Sequence, residues 1–108
     1  MLKPGVTRAV LMANGHRCQY CGKPATTADH IVPSHLGGRS NAGNLTAACR
    51  SCNSSKGAKR LLPEHEMRLK TRAAVMAGLV ATMTSVYQTA STRTLREARA
   101  RARALNKD

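Results

Sequence analysis

The hydrophobic residues of the first sixty positions fall into short runs, separated by polar and glycine-rich stretches. Periodicity, turn residues and capping signals divide this part of the chain into elements. We expect a helix over 7–14, a strand over 26–32, a loop over 34–43, a second strand over 45–48 and a short helix over 49–59. This order predicts a small α+β unit.

The last third of the chain has helical periodicity instead. Pro63 and Glu64 are typical of a helix start. One apolar stripe at spacings of three and four consists of Val75, Leu79, Met83, Val86 and Ala90. A second helix is expected after Thr92, with a stripe of Leu95, Ala98, Ala102 and Leu105. We therefore expect two C-terminal helices in an extension that covers residues 61–108.

Arginines occupy the other faces of the second expected helix, at positions 93, 96, 99, 101 and 103. Such a helix most often packs its apolar stripe on the core and leaves the charges in solvent. Two alternatives stay open. The C-terminal helices could form the seam of a homodimer, or the arginines could lie along a phosphate backbone.

Two tyrosines are the only aromatic residues of the 108-residue chain. A core this poor rarely holds a small domain together without a disulfide or a metal. All four cysteines fall into two Cys-x-x-Cys pairs, Cys18 with Cys21 and Cys49 with Cys52. Two such pairs with no spare cysteine predict a structural zinc site. The alternatives are disulfides in an exported protein, a redox pair or an iron–sulfur centre.

The N-terminus lacks the features of a secretory signal, because Lys3 and Pro4 come early and the apolar stretch 10–13 is short. We therefore expect a cytoplasmic, reducing setting, where paired cysteines more often bind metal than oxidise. Residues 73–92 carry no charge and are long enough to span a bilayer. Small and polar residues dominate them, however, so we expect no membrane segment.

The formal net charge of +13 is extreme for this length. The 18 lysines and arginines are shared evenly between residues 1–60 and 61–108. A basic excess over the whole chain favours a polyanionic partner, nucleic acid before an anionic membrane surface. The simplest alternative is a basic surface that serves solubility.

The dipeptide Asp29-His30 is the candidate reactive group. Phosphodiester cleavage needs an activated water and a cation near the developing charge. A neutral imidazole suits the first task, and carboxylate and amide oxygens suit a hard divalent cation for the second. Neighbours in a strand point to opposite faces, so the two side chains share a site only if the strand ends there. Pro33 favours such an end.

Residues 18–59 resemble the HNH endonucleases in their zinc-containing form. The matching parts are the two cysteine pairs, Asp29-His30-Ile31-Val32-Pro33, Gly37-Gly38, Asn44-Leu45, and Asn53 with Lys56 after the last cysteine. The resemblance implies a β-hairpin and a helix around a catalytic divalent ion, the ββα-metal fold. It implies a nuclease domain over residues 1–60, stapled by the four-cysteine zinc site.

The resemblance also implies roles. His30 would be the general base and Asp29 a ligand of the divalent cation, while Asn44 would hold the loop and orient His30. Asn53 stands where the family commonly has a metal-binding His, and its amide oxygen favours magnesium or manganese. Arg39, Arg50 and Lys56 are expected to face phosphates, with solvated surface charges as the alternative for all three. His35 could contribute to the site or lie exposed in the loop.

These roles predict a metal-dependent endonuclease that acts on DNA, most simply double-stranded DNA. Small stand-alone members of the family are often carried by phages and mobile elements. The rival hypothesis is a zinc-stapled module that binds nucleic acid without cutting it. The charge and the cysteines fit both. Asp29, His30 and Asn44 favour the nuclease, because a binding module does not need them.

Overall fold

The computed structural model describes residues 2–105, and for residues 90–105 it describes the backbone alone. The described residues form three α-helices and a two-stranded sheet, which confirms the expected α+β class. The elements are α1 (Val6–Ala13), β1 (Thr27–His30), β2 (Leu45–Ala48), α2 (Arg50–Lys56) and α3 (Pro63–Leu105), with single 3-10 turns at Ser34–Leu36 and Ala42–Asn44.

The two strands pair antiparallel, with Thr27 opposite Ala48 and His30 opposite Leu45. All four residues of β2 are buried. A half-exposed strand would alternate between buried and exposed positions. β2 does not, since it contacts both α1 and α3. The short side chains of this strand allow both helices to approach closely.

The core is small and consists mainly of alanine and valine. One cluster contains Ala9, Val10, Ala13, Cys18, Ala25, Leu45, Ala47, Ala48 and Val80. A second cluster contains Ile31, Leu69 and Ala73. Both clusters join residues of α3 to residues of the first sixty positions, and the boundary expected at residue 60 stays a prediction. Alanines bury little area, so these clusters supply limited hydrophobic stabilisation.

α1 lies antiparallel against α3. At its start, the carbonyl of Pro4 accepts a hydrogen bond from the Gln88 side chain at 2.7 Å. At its end, Arg72 Nε donates to Asn14 Oδ1 at 2.7 Å. Gly5 has a φ of 85°, and a β-carbon there would lie 3.0 Å from the carbonyl oxygen of Thr84. The glycine thus permits the close approach of the two helices.

The C-terminal part forms one helix of 43 residues where the sequence predicted two. The break was expected at Thr92, which can cap a helix. Neither glycine nor proline occurs between residues 79 and 105, and alanine and arginine dominate the last turns. Strong helix formers after the possible cap, and the absence of glycine and proline before it, keep the helix continuous.

The face of α3 that meets the core also differs from the expected stripe. Val75, Leu79 and Val86 are exposed, Val75 at 74% of its surface, and only Met83 of the described members packs on the core. Ala90 lies outside the described side chains. The packed face consists instead of Leu69, Ala73, Met76, Val80, Met83 and Tyr87.

The two stripes of α3 lie about 100° apart around the helix, because one residue turns it by that angle. α1 and the sheet cover only one of them. Periodicity showed that an apolar face exists, but it did not show which of two neighbouring faces has a partner. None of the helices described between residues 2 and 105 is long and apolar enough to cross a membrane.

Candidate active site and cysteine cluster

The four cysteines come together as the sequence predicted. Their sulfur atoms all lie within 4.8 Å of one another, and no disulfide joins them. Cys18 and Cys21 lie on a tight turn, in which Gly22 has a φ of 80° and donates its N–H to the carbonyl of Cys18 at 2.9 Å. Cys49 caps α2, and its sulfur accepts the N–H of Cys52 at 3.4 Å.

The pKa values of two thiols in this cluster are shifted in opposite directions. Burial tends to raise the pKa of Cys18, but backbone N–H groups of Cys49, Cys21 and Tyr20 donate to its sulfur and lower the pKa to about 6. The pKa of Cys52 is raised to about 12, first by its hydrogen bonds with the sulfurs of Cys49 and Cys21. Four thiolates this close repel one another. A cation is therefore needed before all four can lose their protons.

The donor set fits zinc. Four thiolates are the ligands of closed structural zinc sites, with bonds of about 2.3 Å and hence tetrahedral edges of about 3.8 Å. Cys21 Sγ and Cys49 Sγ are 3.7 Å apart. The cluster is thus a possible zinc site that connects the Cys18 turn to the first turn of α2.

A second polar site lies where β1 ends. Asp29 and His30 are the last two residues of the strand, and both line a cavity of about 190 Å³. The strand end therefore brings two neighbouring side chains to one place. The cavity is completed by Pro33, Ser34, His35, Lys56, Gly57 and Ala58.

The Asp29 carboxylate has two protein partners, and both contact the same oxygen. Tyr20 donates its hydroxyl to Oδ2 at 2.6 Å, and Lys56 Nζ lies 3.3 Å from Oδ2. The side chains of Asp29 and Lys56 are 8% and 7% exposed, so this is a buried ion pair. Burial raises the pKa of Tyr20 well above its ordinary value, and the hydrogen bond to Asp29 adds to that effect.

Lys56 also donates to the backbone carbonyl of His30 at 2.8 Å. One ammonium group on α2 therefore holds both the carboxylate of Asp29 and the backbone at the strand end. The sequence placed Lys56 near phosphates. In the structure its ammonium lies against Asp29 at the wall of the cavity.

The imidazole of His30 contacts Ser40, with Nε2 and Oγ 2.8 Å apart. Which of the two donates depends on the tautomer of His30. The other ring nitrogen, Nδ1, makes none of the hydrogen bonds found among the described residues.

Asn44 holds the loop between the strands through three side-chain hydrogen bonds. Its Oδ1 accepts the N–H of Val32 at 2.9 Å, and its Nδ2 donates to the carbonyls of Val32 at 3.1 Å and Arg39 at 2.9 Å. Its own carbonyl accepts the N–H of Ile31 at 2.9 Å. Gly38 is required beside it, because a β-carbon there would lie 1.7 Å from the Val32 carbonyl oxygen.

The remaining expected site residues are more scattered. Asn53 lies on α2 three residues before Lys56, and therefore on the same side of the helix, but it does not line the cavity of Asp29 and His30. Arg50 is exposed at the start of α2. Arg39 lines a different cavity, next to the loop. His35 is exposed and lines the first cavity.

Two contacts of this site were not expected from the sequence. Tyr20 lies inside the first cysteine pair and is one of only two aromatic residues, which was the available signal for a specific role. Ser40 carried no signal, because a serine in a glycine-rich loop is ordinary. Apart from the four cysteines, no group of three or more His, Cys, Asp or Glu that could hold a metal occurs in the part of the chain that the structure describes.

Comparison with known proteins agrees with this geometry. The model of the HNH endonuclease family matches residues 18–59. The chain is similar to the CRISPR-associated endonuclease Cas9 of Corynebacterium diphtheriae, with 48% identity over 46 residues, which are 38% of this chain and 4% of that protein. The chain thus spans a small part of the length of this relative. No solved structure matches the chain. Residues 18–59 contain both cysteine pairs and Asp29-His30. The match confirms that this segment resembles the HNH endonucleases.

Proposed function

We propose that this protein is a metal-dependent endonuclease that hydrolyses phosphodiester bonds of double-stranded DNA. The observation that carries this proposal is the meeting of Asp29, His30 and Lys56 at one cavity, inside a segment that matches the HNH endonucleases. The net charge of +13 supports a polyanionic substrate.

His30 is the proposed general base. In the tautomer whose Nε2–H donates to Ser40 Oγ, Nδ1 carries the lone pair that accepts a proton from the attacking water. The pairing of His30 with Leu45 and the bond from Lys56 to the His30 carbonyl fix its backbone. Asn44 steadies the chain two residues further on through both polar groups of Val32. A fixed imidazole loses little entropy on reaching the geometry of the reaction.

Asp29 and Asn53 are the proposed ligands of a divalent cation, magnesium or manganese. Such an ion, when bound, would stabilise the developing charge on the phosphate and the leaving oxygen. Oxygen donors fit a hard cation. Lys56 and Tyr20 both contact Oδ2 of Asp29, so Oδ1 is the oxygen of this carboxylate that no described residue engages.

Zinc is the proposed occupant of the cysteine cluster, in a structural role. Its four sulfur ligands would close the coordination shell and leave no position for substrate. The bound ion would join the Cys18 turn to α2, and α2 carries both Asn53 and Lys56. Zinc would therefore position the second site without acting in it.

A plasmid-nicking assay tests the proposal. The wild-type protein with added magnesium or manganese should relax supercoiled DNA, and His30→Ala should lower the rate by about 10²- to 10⁴-fold, the usual contribution of a general base. His65→Ala is the matched control, because His65 is exposed on α3 and lines neither cavity. Equal rates for wild type and His30→Ala would contradict the assignment of the base.

A second candidate function is a zinc-stapled module that binds nucleic acid without cutting it. The buried pair of Asp29 and Lys56 favours this alternative, because the carboxylate already has a positive partner. A gel-shift assay on the same DNA separates the two. Wild-type protein that binds DNA and never nicks it, with either metal, would support the module.

The homodimer through the C-terminal helices stays a prediction. The exposed side chains of Val75, Leu79 and Val86 are the surface on α3 that such a contact would use.

A further inference from the structure

A second cavity, of about 370 Å³, lies beside the first, and of its lining residues the mechanism above uses only Asn44 and, through its backbone, Val32. It opens between the loop that joins the strands and the start of α3. The two cavities are neighbours, since Val32 lines this one and Pro33 lines the other. Its loop side contains Leu36, Gly37, Gly38, Arg39, Asn41, Gly43 and Asn44, and its other side contains Arg60 and Lys70.

The charge of this second cavity is strongly positive. Arg39, Arg60 and Lys70 line it, and no acidic residue does. Arg60 is paired with Glu66, at 3.0 Å and 3.2 Å. Arg39 and Lys70 have no ion pair with any residue that the structure describes. Glu66 also lies close enough to Lys70 for the positive charge of Lys70 to lower the pKa of Glu66. Three cations against this one carboxylate leave a net positive charge at a concave surface, and such a surface attracts an anion.

The walls of this second cavity are held in place. Asn44 donates to the carbonyl of Arg39 at 2.9 Å and so fixes the backbone of that arginine. Leu69, the neighbour of Lys70, is 1% exposed and packs with Ile31 and Ala73. Buried packing on one side and a clamped loop on the other keep Arg39 and Lys70 at the same cavity. A glycine-rich wall also allows a ligand to approach the backbone closely.

We infer that this second cavity binds a backbone phosphate of the nucleic acid, next to the phosphate that is cut. The inference rests on the proposed function, because it assumes that the substrate is a nucleic acid. Arginine and lysine are the usual phosphate partners, arginine through its planar fork and lysine as a point charge. The cavity gives the substrate a second point of attachment and so sets its register at His30.

This assignment gives α3 a role at the substrate. Lys70 and Arg60 lie outside residues 18–59, the segment that matches the HNH endonucleases. The C-terminal part of the chain therefore completes a binding surface that the matched segment forms only in part, through Arg39.

Salt-dependent DNA binding tests the inference without any cleavage. The affinity of a fluorescent duplex of mixed sequence is measured by anisotropy at several salt concentrations, with no magnesium or manganese added. Lys70→Gln should weaken binding and lower the slope of log K against log salt by about 0.9, the value for one lost phosphate contact. Arg39→Gln should behave alike, and Lys70→Arg should retain most of the slope.

Lys3→Gln is the charge-matched control. Lys3 is exposed next to Pro4, which contacts Gln88, so it lies about 27 Å from Lys70 along α3 at a rise of about 1.5 Å per residue. If Lys3→Gln lowers the slope as much as Lys70→Gln does, the basic surface acts diffusely and the inference is overturned. Unchanged slopes for both Lys70→Gln and Arg39→Gln would overturn it too.

Failure of the inference and failure of the proposed function have different signatures. Wild-type protein that nicks plasmid while Lys70→Gln binds DNA normally contradicts the phosphate cavity alone. Protein that never nicks, but loses slope in Lys70→Gln and not in Lys3→Gln, contradicts the endonuclease and leaves the cavity as a nucleic-acid contact.

Discussion

The cysteine cluster and the cavity of Asp29 and His30 lie on the same small frame, yet their charges are compensated in opposite ways. The four sulfurs lie within 4.8 Å of one another, and the protein offers them no positive side chain in the described contacts. Asp29 instead has Lys56 and Tyr20 on one oxygen. The first site therefore depends on an ion from outside the chain, whereas the second can form without one.

Removal of zinc should have the largest effect on stability. It is also the most direct test of the difference between the cysteine cluster and the Asp29 site. Chelation, or Cys49→Ala, should abolish cooperative thermal unfolding as followed by far-ultraviolet circular dichroism. The apparent free energy of structural zinc binding, about 10 kcal/mol or more, is comparable to the whole stability of a small domain.

Ser51→Ala is the matched control for Cys49→Ala, because it changes α2 between the cysteines and leaves all four sulfurs in place. It should bind one zinc per chain by metal analysis and unfold as the wild type does. A chelated protein with an unchanged unfolding curve would show that the cluster does not need an ion.

The second prediction concerns the ion pair of Asp29. Lys56→Met keeps most of the length of the side chain but leaves a buried carboxylate without its cation, and we expect a loss of about 3 kcal/mol in the free energy of unfolding. Tyr20→Phe removes a charge-assisted hydrogen bond to the same oxygen, with an expected loss of about 2 kcal/mol. Urea denaturation of zinc-loaded protein measures both.

Lys56→Met and Tyr20→Phe serve as controls for each other, since each removes one contact to Oδ2 of Asp29. Equal losses would mean that the charge of Lys56 contributes no more than a hydrogen bond. The contrast between the two sites would then fail, because the protein would not compensate the negative charge of Asp29.

The smallest expected effect is at Ser40. Ser40→Ala removes the partner of His30 Nε2, and we expect kcat for plasmid nicking to fall by about fivefold, which corresponds to about 1 kcal/mol, while KM stays unchanged. Ser40→Thr keeps the hydroxyl and should restore activity. Ser34→Ala changes a serine that lines the cavity of Asp29 and His30 but does not bond His30, and it should have little effect. A change in KM alone would indicate a role in binding DNA.

Short-range signals were sufficient for much of the site. The spacing of the cysteines predicted their cluster, and Pro33 correctly predicted that the strand ends close to His30. The resemblance implied that Asn44 holds the loop, and its side chain does bond the backbone of Val32 and Arg39. Each cysteine pair is a local motif, and the shared chemistry of the two pairs predicts that they meet although 28 positions separate Cys21 from Cys49.

Contacts between distant residues that no shared motif links were not predictable from the sequence. Lys56 meets Asp29 across 27 positions, and Lys70 meets Arg39 at one cavity across 31. The partner of a charge depends on how α2 and α3 dock, and composition does not report docking. α3 shows the same limit, because two of its faces are apolar and the packing of α1 selects one.

The sequence by itself determined the zinc-binding motif, the basic charge, the α+β order of elements and the position of Asp29-His30 at a strand end. These follow from composition, from local spacing and backbone preference, and, for the two cysteine pairs, from a metal chemistry that needs all four thiolates. Only the tertiary structure decided that α3 is a single helix, which of its faces is buried, and that Lys56, Tyr20 and Ser40 surround Asp29 and His30. Those outcomes depend on burial and charge pairing between segments, and such free energies exist only once the segments are packed together.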